Sequence, residues 1–179
     1  MNASDSYMAG RLTRQFVKVI QADATSTRGQ RNVIDGETEL LQGFEFNING
    51  RLPGTLYAPF TATINRVTGA LTVDVPPFVP INMIAAPAGA THCKLTAAAA
   101  EIDFEAETFI NDTTGSGDIV LGPEVTVGNN LELTLTANST KPLFLAFGIE
   151  FYQEVNGSMY LLKSGAFNAM QLVKISSGV

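Results

Sequence analysis

Residues 143–155, LFLAFGIEFYQEV, followed directly by Asn156-Gly157 and then by SMYLL, decide the fold. The first run is long, apolar and rich in Leu, Phe and Ile, which suits a strand packed into a sheet. Asn-Gly between two such runs is the strongest short-range hairpin signal, because both residues accept the positive φ of a tight two-residue turn. A hairpin here makes the sheet antiparallel. Residues 167–175 alternate in the same way and close the chain as a further strand.

Working back from this hairpin, the β pattern continues. Residues 131–137 and 120–127 read as strands split by Gly128-Asn129-Asn130, and residues 102–110 and 91–98 read as two more. Residues 71–75 place Leu71, Val73 and Val75 on one face and Thr72 and Asp74 on the other. Residues 56–65 continue past Pro59, which predicts an edge or a bulge there, and residues 40–47 carry Leu41, Phe44 and Phe46 as apolar markers. Residues 76–90, PPFVPINMIAAPAGA, hold four of the eight prolines. Such a long apolar connection predicts a crossing between two sheets, which favours a Greek-key sandwich over a meander. The pattern gives nine to eleven strands in an antiparallel, Greek-key or jelly-roll-like β-sandwich over residues 37–179.

The exception is residues 6–22, SYMAGRLTRQFVKVIQA. Met8, Leu12, Phe16, Val19 and Ile20 recur at spacings of three and four, which predicts an amphipathic helix with Asp5 or Ser6 as its N-cap. Its basic residues Arg11, Arg14 and Lys18 sit largely off the apolar stripe. A helix this polar needs a sheet or a partner to lie on. Residues 23–36 read as a polar linker, so that residues 1–36 form an N-terminal arm.

The totals agree. A chain of 179 residues is one ordinary domain, long enough to build a core without disulfides or metals. Its single cysteine, Cys93, can form no internal bridge. Charged residues make up 16%, against ~25% in average domains, and mean hydropathy is +0.15. A weakly charged β domain tends to associate. The net charge of −6 is uneven: residues 1–31 hold five cations against two acids, and residues 32–179 six cations against fifteen acids. The basic front end can dock on the acidic body, its own or a neighbour's. The acidic body argues against nucleic acid as the main partner. No run of 18 apolar residues predicts a membrane span, and the first residues lack the order of a signal peptide. Localisation is left open, with release from the cell after processing as one expectation.

The most unusual local feature is Glu101-Ile102-Asp103-Phe104-Glu105-Ala106-Glu107. On a strand, Glu101, Asp103, Glu105 and Glu107 share one face about 7 Å apart, and repel unless they meet solvent, cations or a basic partner. A solvated face is the plain explanation. Docking of Arg11, Arg14 and Lys18 onto these acids is the sharper one. Residues 111–118, NDTTGSGD, read as an exposed loop with Asp112 and Asp118 as weak calcium candidates, although the spacing is not that of an EF-hand. His92 and Cys93 are strand neighbours that point to opposite faces, so they form no Cys–His pair, and Cys93 reads as a small core residue. A serine triad would have to use His92, and no Gly-x-Ser-x-Gly motif supports one. A carboxylate pair acting on glycosides is weakened by the absence of tryptophan. Tyr152 and Tyr160, flanking the Asn-Gly turn, read as a cross-strand pair. No cofactor is implied.

Several stretches taken together carry a likeness: Gly10-Arg11-Leu12-Thr13, Gly43-Phe44-Glu45-Phe46-Asn47, Tyr57-Ala58-Pro59-Phe60, residues 84–92 (IAAPAGATH) and residues 148–157 (GIEFYQEVNG). They resemble an uncharacterised β-rich family of Bacteroidetes proteins. The resemblance implies a longer protein with a basic, Gly-rich N-terminal segment, of which this chain is the C-terminal part. It implies no activity and no catalytic residue.

Low charge, abundant strands, the bipolar charge split and the lack of a catalytic constellation lead to one expectation. The chain is a non-enzymatic structural protein, a self-assembling subunit of an oligomer, filament, tube or shell. The alternative is a glycan- or protein-binding β-sandwich module using end loops near Tyr57 or residues 111–118.

Overall fold

The structure is a computed structural model and describes residues 3–24, 33, 37–163 and 165–178. Most of the expected linker, with Arg28 and Arg31, lies outside the described residues. Strand accounts for 41% of residues and helix for 16%, so the chain is mainly β with one N-terminal helix.

Nine strands are seen among the described residues: β1 Thr61–Asn65, β2 Ala70–Val75, β3 His92–Asp103, β4 Thr108–Gly115, β5 Ile119–Val120, β6 Asn129–Thr134, β7 Leu143–Val155, β8 Ser158–Leu161 and β9 Ala169–Ser176. They form two antiparallel sheets. The small sheet has the order β1-β2-β6. The large sheet runs β4-β3-β7, with β8 and β9 both on the far side of β7 and β5 on the start of β3. The chain changes sheet after β2, after β5 and after β6. The first change is the proline-rich crossing of residues 76–90, which includes a short helical turn at Pro80–Met83.

Strand β7 organises the rest. Its residues 143–151 are buried without interruption. Because strand side chains alternate, such a strand needs cover on both faces. Leu145, Phe147, Ile149 and Phe151 join Leu71, Val73, Leu131 and Leu133 of the small sheet in the main core. The Phe147 ring packs 4.8 Å from that of Phe60. Phe144 and Ala146 face the other way, toward α1 (Met8–Ala22) and a 3-10 turn at Thr38–Leu41. There Val19, Leu41, Phe44, Leu172 and Ile175 are buried, and Met8, Leu12 and Phe16 pack against them. The apolar stripe of the helix is therefore its docking face, and the molecule has three layers: small sheet, large sheet, helix.

Asn156 (φ 52) and Gly157 (φ 79) make the tight turn between β7 and β8. Tyr152 is paired with Leu161 and Tyr160 with Gln153, so the two tyrosines fall on opposite faces and are not the expected cross-strand pair. The N-cap is also corrected. Tyr7 occupies the cap position without a side-chain bond, and Asp5 Oδ1 accepts the Tyr7 amide instead (2.8 Å).

Other boundaries move for identifiable reasons. Residues 40–47 start in the 3-10 turn, and only from Gly43 do they bond along β9: Gly43 N–H donates to Leu172 O (2.7 Å) and Phe46 N–H to Met170 O (2.8 Å). Residues 56–60 are not strand, because Tyr57 N–H turns to Met83 O (2.7 Å) and β1 begins only beyond Pro59. Of the run of residues 120–127 only Val120 is strand, as the second residue of β5. The strand expected over residues 91–98 runs on to Asp103 as β3, and the one expected over residues 102–110 is split by a hairpin turn at residues 104–107, with Ile102 and Asp103 ending β3 and Thr108–Ile110 opening β4. Asp103 Oδ1 sets this turn by accepting the amides of Glu105 (3.1 Å) and Ala106 (3.0 Å), an Asx-type turn without Gly or Pro. In consequence β4 runs through most of the expected 111–118 loop.

This packing separates structural from dispensable aromatics. Phe147→Ala is expected to lower the unfolding free energy by about 3–5 kcal/mol, whereas Tyr7→Ala, at a 79%-exposed ring, should change it by less than about 0.5 kcal/mol. Urea titrations of the two variants check this.

Candidate functional site

The hairpin β3–β4 collects most of the residues singled out from the sequence, but not as a strand ladder. Glu101 ends on the small-sheet face of β3, buried, where its Oε2 accepts the Thr136 amide (3.3 Å). Asp103 sits at the strand end and is bonded to Lys141. Glu105 and Glu107 are exposed in the turn, with Glu107 at φ 53. The four carboxylates therefore do not share one face. Two are spent on internal contacts, and the ladder is corrected to a turn.

The basic helix does not dock on these acids within the chain. Arg11 is bonded to Asp5, donates to Glu45 O (2.7 Å) and Phe46 O (3.1 Å), and lies over the Phe44 ring at 5.1 Å. Arg14 and Lys18 lie exposed. What joins helix and hairpin is apolar: the Phe16 and Phe104 rings meet edge to face at 5.9 Å.

The calcium candidates are also kept apart. Asp112 Oδ2 accepts the Thr134 amide (2.9 Å), linking β4 to β6, and Asp118 pairs with Lys94 (3.2 Å). Among the described residues no group of three or more His, Cys, Asp or Glu could hold a metal. His92 Nδ1 lies 2.9 Å from Thr91 Oγ1, and Nε2 lies 3.9 Å from Glu154. Cys93 points away into the main core, where burial pushes its thiol up to about 12. Tyr57 stands exposed, its hydroxyl bonded to Gly54 O (3.1 Å).

Two features remain that the sequence did not announce. The first is a cleft of about 380 Å³ between α1 and the large sheet. Leu12 and Phe16 form its helix wall, and Ala98, Ala100, Phe144 and Ala146 form its floor. Asn111 and Thr113 of β4 form the opposite rim. The run Ala97–Ala100 was the available signal: alanines facing a helix leave a gap that larger side chains would fill.

The second feature is the edge strand β4. On the opposite side of the large sheet, residues 43–46 bond along β9 and cover that edge. On β4, Phe109 is 70% exposed and Ile110 is 53% exposed. These two alternate, so they present apolar surface on both faces of the edge. Proteins usually guard such an edge with Lys, Pro, a bulge, an inward-turned charge or a covering loop. Strand β4 carries no Lys, Arg or Pro; its one charge, Asp112, is turned toward β6. Misplacing the hairpin turn is what hid this edge in the sequence.

No family model, curated protein or solved structure matches this chain, so its function is argued from its own geometry. No helix of the described residues is long and apolar enough to cross a membrane.

The clasp at the helix start is acid-sensitive. The Ile48 amide (3.0 Å to Oδ2), opposed by partial desolvation and joined by the Tyr7 amide and Arg11, holds Asp5 below its ordinary value of 3.8. A depressed carboxylate stabilises the fold above the unfolded value, and that contribution is lost as pH falls through the folded value. Urea stability of the wild type should exceed that of Asp5→Asn by a constant margin above about pH 5, with the margin shrinking toward zero in stronger acid.

Proposed function

We propose that this chain is a non-enzymatic structural subunit that self-associates through the β4 edge of its large sheet. The single observation that carries this is the eight-residue edge that bears exposed Phe109 and Ile110 and whose one guarding charge is Asp112. An edge of this kind offers unpaired backbone groups and apolar side chains together, which is what strand addition uses. The low charge of the chain supports the same reading. Because Arg11 is committed inside the subunit, ion pairing between subunits falls to Arg14 and Lys18 against Glu105 and Glu107. Exposed pairs of that kind are worth about 0–1 kcal/mol each. They steer and orient, and the apolar edge supplies the affinity.

A binding module is the second reading, and the cleft favours it. Its walls are apolar, and its polar groups are confined to Asn111 and Thr113 on the rim, so it suits an apolar group and not a glycan. Under this reading an apolar fluorescent probe such as anilinonaphthalene sulfonate binds at one site per chain, and Ala98→Leu, which fills the floor, weakens it at least about tenfold. That loss is comparable to the ~1.4 kcal/mol of one tenfold step in affinity.

For self-association, light scattering on a sizing column should give a multiple of the 19.1 kDa chain mass, retained in 1 M salt. Replacing Phe109 and Ile110 together by lysine should return the protein to 19.1 kDa with an unchanged circular dichroism spectrum. A wild-type chain that stays monomeric at several hundred micromolar would sink the proposal.

A further inference from the structure

We infer that the partner of the β4 edge is the β4 edge of a second copy, paired antiparallel about a two-fold axis, with Phe109 of each copy capping the other's cleft. This rests on the self-association reading above and adds to it the geometry of the contact.

Direction follows from charge. Two copies of one edge can meet parallel or antiparallel. A parallel meeting places the two acidic turns side by side, so that Glu105 and Glu107 of both copies crowd together. An antiparallel meeting sends the turns to opposite ends. Glu105 lies five or six residues from the middle of β4, so the turns end roughly 35–40 Å apart at the ~3.4 Å rise of a strand. That separation exceeds the ~8–10 Å screening length several-fold. The antiparallel arrangement is also the isologous one, in which each copy offers the same surface and the contact closes.

Register follows from parity. A two-fold axis perpendicular to the sheet keeps the helix side of both copies on the same side. Residues facing each other across the axis must then point to the same face, so their numbers sum to an even value. The axis therefore passes through a residue near mid-strand: Ile110, Asn111 or Asp112. Asp112 is ruled out, because it would face its own copy, like charge against like. Its Oδ2 also already holds the Thr134 amide at the end of β4 that approaches β6. Ile110 and Asn111 remain.

Both registers have the same consequence. With the axis at Ile110, Phe109 lies opposite the partner's Asn111. With the axis at Asn111, Phe109 lies opposite the partner's Thr113. Asn111 and Thr113 are the two β4 residues that rim the cleft. In either case a 70%-exposed ring is placed beside an open apolar space of about 380 Å³. Two features that stand unexplained in the single chain, the exposed Phe109 and the unfilled cleft, thus complete each other across the axis.

Cysteine cross-linking of the full chain tests this. The native Cys93 is fully buried and stays silent under mild oxidation. Three single variants are compared: Ile110→Cys, Asn111→Cys and Glu107→Cys. The residue on the axis faces its own copy at disulfide range. Either Ile110→Cys or Asn111→Cys is therefore expected to form a covalent dimer at least tenfold faster than Glu107→Cys. As a companion measurement, Phe109→Lys should weaken association at least tenfold by sedimentation, while Val67→Lys, equally exposed at 70% on the β1–β2 turn, should leave it unchanged. A chain that assembles but cross-links at Glu107→Cys as fast as at either axis position overturns the antiparallel pairing and leaves self-association standing. A chain that assembles without cross-linking at Ile110→Cys or Asn111→Cys does the same. A strictly monomeric chain overturns both.

Discussion

A strand buried on both faces cannot stop at one layer of cover. Residues 143–151 of β7 form such a strand, and the rest of the molecule can be derived from that demand. One face is met by the small sheet, whose β2 and β6 contribute a dense set of Leu and Val. The other is met by a single 15-residue helix, α1. A helix is about 10–12 Å across, and strands lie ~4.8 Å apart, so one helix covers little more than two strands. It lies over the β7–β9 side, where Arg11 bonds to Glu45 O and Phe46 O on the segment beside β9. The β3–β4 side is left with alanines and an open rim. Cleft and open edge are thus two consequences of one mismatch between a wide sheet and a narrow cover.

How much of this was legible depended on what kind of force set each element. Burial patterns read well. The LFLAFGIEFYQEV strand, the alternation of Leu71, Val73 and Val75, the crossing rich in proline and the stripe of α1 all appear where the sequence places them. Turns made by side chains read badly. The β3–β4 turn contains no Gly, Pro or Asn, and depends on Asp103 accepting two amides ahead of it. Residues 111–118 look like a loop because of Asn, Asp and two glycines, yet Thr113 and Thr114 pair with Ala98 and Ala97 in regular register. Pairing with an already formed strand outweighed the local preference. That one misplaced turn converted a hairpin with an exposed edge into an apparent ladder of acids.

Charge played a narrower part than its totals suggest. The split between a basic front end and an acidic body is real in sequence, but within the chain the residues meet other partners. Arg11 is held by Asp5 and backbone carbonyls, and Asp103 by Lys141. Among the described residues Arg66 is the most heavily bonded cation. It donates to Ser139 O (2.7 Å), Lys141 O (2.9 Å), and Ser176 Oγ (2.9 Å) and O (2.7 Å), tying the β1–β2 turn to the chain's last strand and to the β6–β7 connection. These are directional contacts that fix where segments sit. They hold α1 and the last strand in register, while burial supplies most of the stability.

The alanine floor sets the two faces of the large sheet apart. On the small-sheet face of β7, Leu145 and Phe147 stand opposite Ala99 and Ala97 of β3, and Leu71, Val73, Leu131 and Leu133 of the small sheet fill the layer. On the helix face, Ala98 stands opposite Ala146 and Ala100 opposite Phe144, and Leu12 and Phe16 of α1 wall the space above them without filling it. A Leu at Ala98 or Ala100 would have filled that space from within, adding about 1.5–3 kcal/mol of apolar burial. A Lys on β4 would have blunted the edge at little cost. The chain has neither. The same fold covers its other large-sheet edge with residues 43–46, so the two edges of one sheet differ in cover and in side-chain volume alike.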